Sequence, residues 1–155
     1  MSASPSAILI VEDSPDDLFF LQRSFEIAGI RSILRSVEDG QQAMDYLQGS
    51  GPFADRTAYP LPSLVLLDLK LPLKHGFEVL AWLRQQPLLR GIVVVVLTSS
   101  SEERDIARAY DLGANAFLVK PTSIDKLTAI VRALDTFWLQ HNKFKSLPSP
   151  PFPLP

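Results

Sequence analysis

Ala7-Ile8-Leu9-Ile10-Val11-Glu12-Asp13-Ser14-Pro15-Asp16-Asp17 passes from five consecutive apolar residues to an acidic pair and then to a helix start. An apolar run without polar alternation marks a strand buried on both faces, as in parallel sheets covered by helices. Ser14 stands at the N-cap, Pro15 at the first helical position and Asp17 three residues after the cap, so a helix begins at once; Gly29 stops it after Ala28. The same strand-then-helix unit recurs. Residues 64–67, 92–97 and 116–119 are further apolar runs, and 32–37 supplies a weaker fifth strand by position. Helices are expected over 40–48, 77–86, 102–112 and from 123 to about 141, with Gly49 and Gly113 ending the second and fourth. Five such units predict an α/β fold, a single open parallel sheet wound on both faces, because parallel neighbours need right-handed helical crossovers.

The chain has 155 residues, room for one core and no second catalytic domain. Hydrophobic residues make up 46% and charged ones 21%, a globular and not a disordered mixture. A net charge of −2 offers no basic field for nucleic acid or for an anionic membrane. Without cysteine there is no disulfide framework, thiolate zinc site or thiol nucleophile. No cation precedes the first apolar run and no run approaches the roughly 18 apolar residues of a membrane span, so a soluble, cytoplasmic protein is expected. Two segments depart from a minimal α/β plan. Residues 49–63 form a long loop with Pro52, Pro60 and Pro62, of a kind often functional or mobile. From Ser146 the chain reads Ser-Leu-Pro-Ser-Pro-Pro-Phe-Pro-Leu-Pro, which favours polyproline II and not helix, so the expected division is a domain over 1–145 and a tail over 146–155.

Each strong strand ends in a polar residue: Glu12-Asp13, Asp68, Thr98 and Lys120. In a parallel sheet these ends share one edge, where open α/β folds bind ligands. Taken singly, each has a plain reading. The acidic pair suits a solvated turn, Thr98 or Ser99 to Ser101 could cap the next helix with Ser99 and Glu102 at capping-box spacing, and most lysines are solvated. Four strands ending in a matched set is the stronger observation. A carboxylate can act as a nucleophile and form an aspartyl phosphate, provided positive charge offsets its repulsion of the phosphoryl group. Clustered carboxylates suit Mg²⁺, and an ammonium and a hydroxyl suit the remaining phosphoryl oxygens.

With these residues in place, the sequence resembles the receiver domain of two-component response regulators over residues 7 to about 141. The marks are Glu12-Asp13, Asp68 with Pro72 and Gly76 in Asp68-Leu-Lys-Leu-Pro72-Leu-Lys-His-Gly76, Thr98, and Lys120-Pro121. The resemblance implies a flavodoxin-like sheet of order 2-1-3-4-5 with five helices and phosphorylation of Asp68 by a phosphohistidine on a sensor histidine kinase. It implies Mg²⁺ on Asp13, Asp68 and the backbone carbonyl of Lys70, with Glu12 also placed for the metal and expected to matter less if it acts through a bound water. A cis Lys120-Pro121 bond and a switch formed by Thr98 and Phe117 also follow, the hydroxyl being drawn inward by the phosphoryl group. Lys70 and His75 depart from commoner receivers, which carry a shorter polar or acidic side chain at the first position and Asp, Ser or Thr at the second. The Pro-containing loop, the end Phe137-Trp138-Leu139 of the last helix and the lack of an output domain resemble stand-alone regulators paired with cyanobacterial phytochromes.

Two rivals are an aspartyl-nucleophile phosphatase of haloacid-dehalogenase type and a receiver-like interaction module that takes no phosphate. The first needs an acid two residues after its nucleophile, where Lys70 stands, and a lysine cannot do that proton work at neutral pH. The second would lack a site residue, and none is missing. A signalling phospho-acceptor is therefore expected, and not an enzyme with turnover. Finally, Ile124, Leu127, Val131, Leu134 and Trp138 form one apolar stripe, widened by Ile130 and Phe137 and followed by Phe144, Leu147, Phe152 and Leu154. This excess predicts a homodimer through helix five and the tail.

Overall fold

The computed structural model describes residues 6–146; the tail from residue 147 onward and residues 1–5 lie outside the described residues. Five parallel strands, β1 (Ala7–Val11), β2 (Ile33–Val37), β3 (Leu64–Leu67), β4 (Val93–Thr98) and β5 (Ala116–Val119), form one sheet of order β2-β1-β3-β4-β5. Between them run α1 (Pro15–Ala28), α2 (Gly40–Gln48), α3 (Gly76–Gln85) and α4 (Glu103–Asp111), with α5 (Ile124–Leu134) after the last strand.

The unbroken apolar runs have a simple cause: both faces of the sheet are covered. Leu9, Val11, Val65, Leu67 and Val94 point to a core shared with Ala43, Tyr46 and Leu47 of α2 and Leu80 and Leu83 of α3. Their neighbours Ile8, Ile10, Leu64, Leu66, Val95 and Leu97 point the other way, onto Leu21 and Phe25 of α1 and Leu127, Val131 and Leu134 of α5. The strand period of two thus feeds two helical layers.

Several boundaries and caps become definite in the structure. Thr98 is the last residue of β4 and not the start of a cap. The Ser99 to Glu102 capping box does not form: α4 starts at Glu103, and Ser100 instead accepts from the Glu102 N–H and donates to Asp105 at 2.6 Å. His75, through its ring nitrogen, caps α3. α5 closes at Leu134 and continues as a π-helix over Asp135–His141, which turns both Trp138 and Leu139 onto the α1/α5 core.

The long loop is tied down. Arg56 donates to the carbonyls of Tyr46, Leu47 and Tyr59, meeting the orphan acceptors at the end of α2, while the Tyr46 hydroxyl donates to Pro60 at 2.9 Å. Phe53 and Tyr59 pack around the Tyr46 ring, and Arg35 of the edge strand holds the Ala58 carbonyl. Its role in the described residues is to brace α2 and the β2 edge.

Candidate phosphoryl acceptor site

Strand register brings the polar ends together. Val11 pairs with Leu67, Leu67 with Val96, and Thr98 with Val119, so Glu12, Asp68, Thr98 and Lys120 emerge side by side. The sheet order reverses between β1 and β3, and this is where the acceptor lies.

Asp68 is 6% exposed and fully partnered. Its Oδ1 accepts from the Thr98 hydroxyl at 2.8 Å and from the Lys70 N–H at 3.3 Å; its Oδ2 accepts from the Lys120 ammonium at 2.8 Å. Lys120 also reaches Glu12 Oε2 at 2.6 Å and Asp17 Oδ2 at 2.9 Å. Burial would lower its pKa, yet its hydrogen bonds to Asp68, Glu12 and Asp17 outweigh that and hold it above the ordinary lysine value. Burial, seconded by the charge of Asp68, pushes Glu12 up to about 7 against the opposing hydrogen bonds of Lys120 and the Ser14 N–H.

Glycines set the loop that carries the acceptor. A Cβ on Gly76 would stand 2.4 Å from the Asp68 carbonyl oxygen, and one on Gly40, at the start of α2, 1.9 Å from that of Lys74. Only residues without a Cβ let the starts of α2 and α3 lie so close to the backbone of the loop after β3. Leu73 takes a positive φ of 65° on this loop and is 77% exposed.

Oxygens of Glu12, Asp13 and Asp68 lie within 4.8 Å of one another, with Asp13 exposed at the mouth. One ammonium against these carboxylates leaves net negative charge, and hard oxygen donors in that number fit a divalent cation. Glu12 also holds Lys120 and accepts from the Ser14 N–H at 3.1 Å.

One expectation changes here. The described residues contain no cis peptide bond, so Lys120-Pro121 is trans, the default even before proline, and from it the ammonium reaches all three carboxylates. The Thr98 hydroxyl, fully buried, faces Asp68. Phe117 is half-buried against Leu69, Phe77, Val96 and Ala109. Asp17 was legible only as a helix-cap acid; its signal was the need of a buried lysine for three acceptors.

A parallel sheet of this order with acid, hydroxyl and ammonium on consecutive strand ends defines a receiver. The family model described as response regulator receiver domain matches residues 8–132, and the chain belongs to that family of signalling proteins. It is 40% identical over 139 residues to response regulator Rcp1 of Synechocystis sp., covering 90% of this chain and 92% of that one. Among solved structures, the phosphorylated cyanobacterial phytochrome response regulator RcpA superposes with a TM-score of 0.85 at 36% identity, covering 92% of this chain and all of that one. The Mn²⁺-bound form of Rcp1 does so with a TM-score of 0.81 at 39% identity, covering 92% of this chain and 100% of that one. This chain is thus a homologue of stand-alone phytochrome response regulators. No helix among its described residues is long and apolar enough to cross a membrane.

Proposed function

We propose that Asp68 accepts a phosphoryl group from a phosphohistidine of a sensor histidine kinase, with Mg²⁺ as the cation. The observation that carries this reading is the triple grip on Asp68 by Thr98, Lys70 and Lys120, which marks where developing charge would be held. A carboxylate oxygen of Asp68 attacks phosphorus, the new O–P bond forms as the P–N bond breaks, and the imidazole nitrogen keeps the electron pair. Lys120 and Thr98 then pass their donors to phosphoryl oxygens. Asp13, Asp68 and the Lys70 carbonyl would hold Mg²⁺, which when bound supplies positive charge against the repulsion between acceptor and donor. Water later breaks the acyl phosphate and returns the carboxylate and inorganic phosphate, which resets the acceptor; the reading is of a signalling phospho-acceptor and not of an enzyme with turnover.

Thr98 and Phe117 are proposed as the switch. Since the hydroxyl already faces Asp68, its motion is a short re-aiming from Oδ1 to the phosphoryl group, and Phe117 answers at the α4 side of the sheet. The likeness to the phytochrome response regulator RcpA supports a phytochrome as the kinase; a cytoplasmic setting and no direct contact with nucleic acid or membrane belong to the same reading, since a net charge of −2 offers no basic field for either. The exposed Phe137 on the extension of α5 supports a homodimer through that side.

The test is incubation with a small acyl phosphate and Mg²⁺, read by intact mass. Wild type gains one phosphoryl group and Asp68→Asn none while remaining folded, and Asp13→Ala needs far more Mg²⁺ for the same label. Label retained on Asp68→Asn sinks the mechanism.

A further inference from the structure

The Lys120 ammonium, with three N–H donors to offer, lies within 2.6–2.9 Å of three different carboxylates: Glu12 of the β1 end, Asp68 of the β3 end and Asp17 of α1. Only Asp68 can become the acyl phosphate. On phosphorylation the donor that it held passes to a phosphoryl oxygen, so the ammonium must stay in place through its other two partners. Glu12 is 6% exposed in its side chain and pins Nζ from the sheet side; Asp17, 46% exposed, pins it from the helix side.

Both partners are set by one residue. The Ser14 N–H donates to Glu12 Oε1 at 3.1 Å, and the Ser14 hydroxyl accepts from the Asp17 N–H at 3.3 Å. The N-cap of α1 therefore does two things: it closes the first turn of the helix, and it aims a carboxylate from each side at Lys120. Asp17 also lines, with Phe20, Pro121 and Ile124, a cavity of about 100 Å³ between α1 and the β5–α5 junction, into which an unrestrained lysine would have room to turn.

We infer that Asp17 is a positioning residue for phosphoryl transfer, holding the Lys120 ammonium between α1 and Asp68 so that it meets the phosphoryl oxygens without a search. The inference rests on the acceptor reading of Asp68. Asp17 touches neither the phosphoryl group nor the metal ligands' oxygens in this role; it acts through Lys120 alone. Its contribution comes from an acceptor oxygen at a fixed place, and a carboxamide supplies that oxygen as well.

The full chain is labelled by a small acyl phosphate at saturating Mg²⁺ in wild type, Asp17→Ala, Asp17→Asn and each substitution combined with Lys120→Ala, with Mg²⁺ affinity taken separately by calorimetry without phosphodonor. Asp17→Ala is expected to label about fivefold more slowly, the upper range for a half-exposed ion pair, with Mg²⁺ affinity unchanged within about twofold. Asp17→Asn recovers most of that loss, and in the Lys120→Ala background Asp17→Ala makes no further difference. Ser14→Ala gives a milder version of the same fall. Equal rates in wild type and Asp17→Ala overturn the inference alone, as does an equal fall in the Lys120→Ala background, or an Asp17→Asn as slow as Asp17→Ala. A wild type that takes no label removes the acceptor reading and this inference with it.

Discussion

Glu12 lies buried between a cation and a second acid, and its pKa is pushed from the ordinary 4.5 to about 7, chiefly by burial. A pKa raised by folding means that the folded chain holds a proton which the unfolded chain has lost between those two values. Stability of the metal-free protein therefore falls as pH rises from about 4.5 through about 7. Fully titrated, the effect is on the order of 3 kcal/mol at most. Glu12→Gln should flatten this slope and leave the variant more stable than wild type above neutral pH, as read by urea midpoints from pH 5 to 8. An unchanged slope would remove Glu12 as its source. Added Mg²⁺ should stabilise wild type more at pH 8 than at pH 5, because Glu12, beside the cation, carries its negative charge only once deprotonated near pH 7.

Among the elements, α3 and the turns beside it depend on one arginine. Arg84 donates to the carbonyls of Gly113, Arg90 and Ile92 and to the Asn115 side chain, all between 2.7 and 2.9 Å. It thus joins α3 to the start of β4 and to the turn between α4 and β5. Burial lowers its pKa, but the fork geometry serves four acceptors at once. Arg84→Ala should cost about 2–4 kcal/mol, since it leaves several carbonyls without a donor. Arg84→Lys should recover little of that, because a point charge cannot replace the fork. Denaturation midpoints check both; full recovery by lysine would show that charge, not geometry, matters. Arg84 was unremarkable in the sequence, where it sits in the last turn of a helix like any solvated cation, and the four acceptors are up to 31 residues away. The brace formed by Arg56 was hidden for the same reason.

At the scale of the whole molecule, the apolar stripe of α5 is mostly spent within one chain. Leu127, Val131 and Leu134 are buried, and Ile130, Trp138, Leu139 and Phe144 pack on the α1/α5 core. Phe137 remains 58% exposed, stacked edge-on against Trp138. The proposed dimer therefore centres on Phe137. Phe137→Ser is the clean probe, since an exposed side chain costs within about ±0.5 kcal/mol to replace, whereas truncation before Phe144 would also strip the core. Sedimentation should show wild type as a dimer and Phe137→Ser as a monomer that still takes phosphate. A wild type monomeric with and without phosphate discards the dimer.

The succession of strands and helices along the chain, the β1, β3 and β5 limits and the span of α1 could be read from residues alone, because burial on both sheet faces forces unbroken apolar runs and because Ser14, Pro15 and Gly29 punctuate locally. Asp68, Thr98 and Lys120 were legible for a related reason: a side chain just past a buried parallel strand has one place to go. Other features depended on partners distant in sequence. Asp17 gains its meaning from a lysine 103 residues away, Thr98 its orientation from Asp68, and the 49–63 loop its rigidity from Arg56 and Tyr46. The trans geometry of Lys120-Pro121 and the π-winding after Leu134 are likewise outcomes of packing. Periodicity and caps are local energies, written in neighbouring residues; ion-pair geometry and loop anchorage arise only when folding brings separated groups within hydrogen-bond reach.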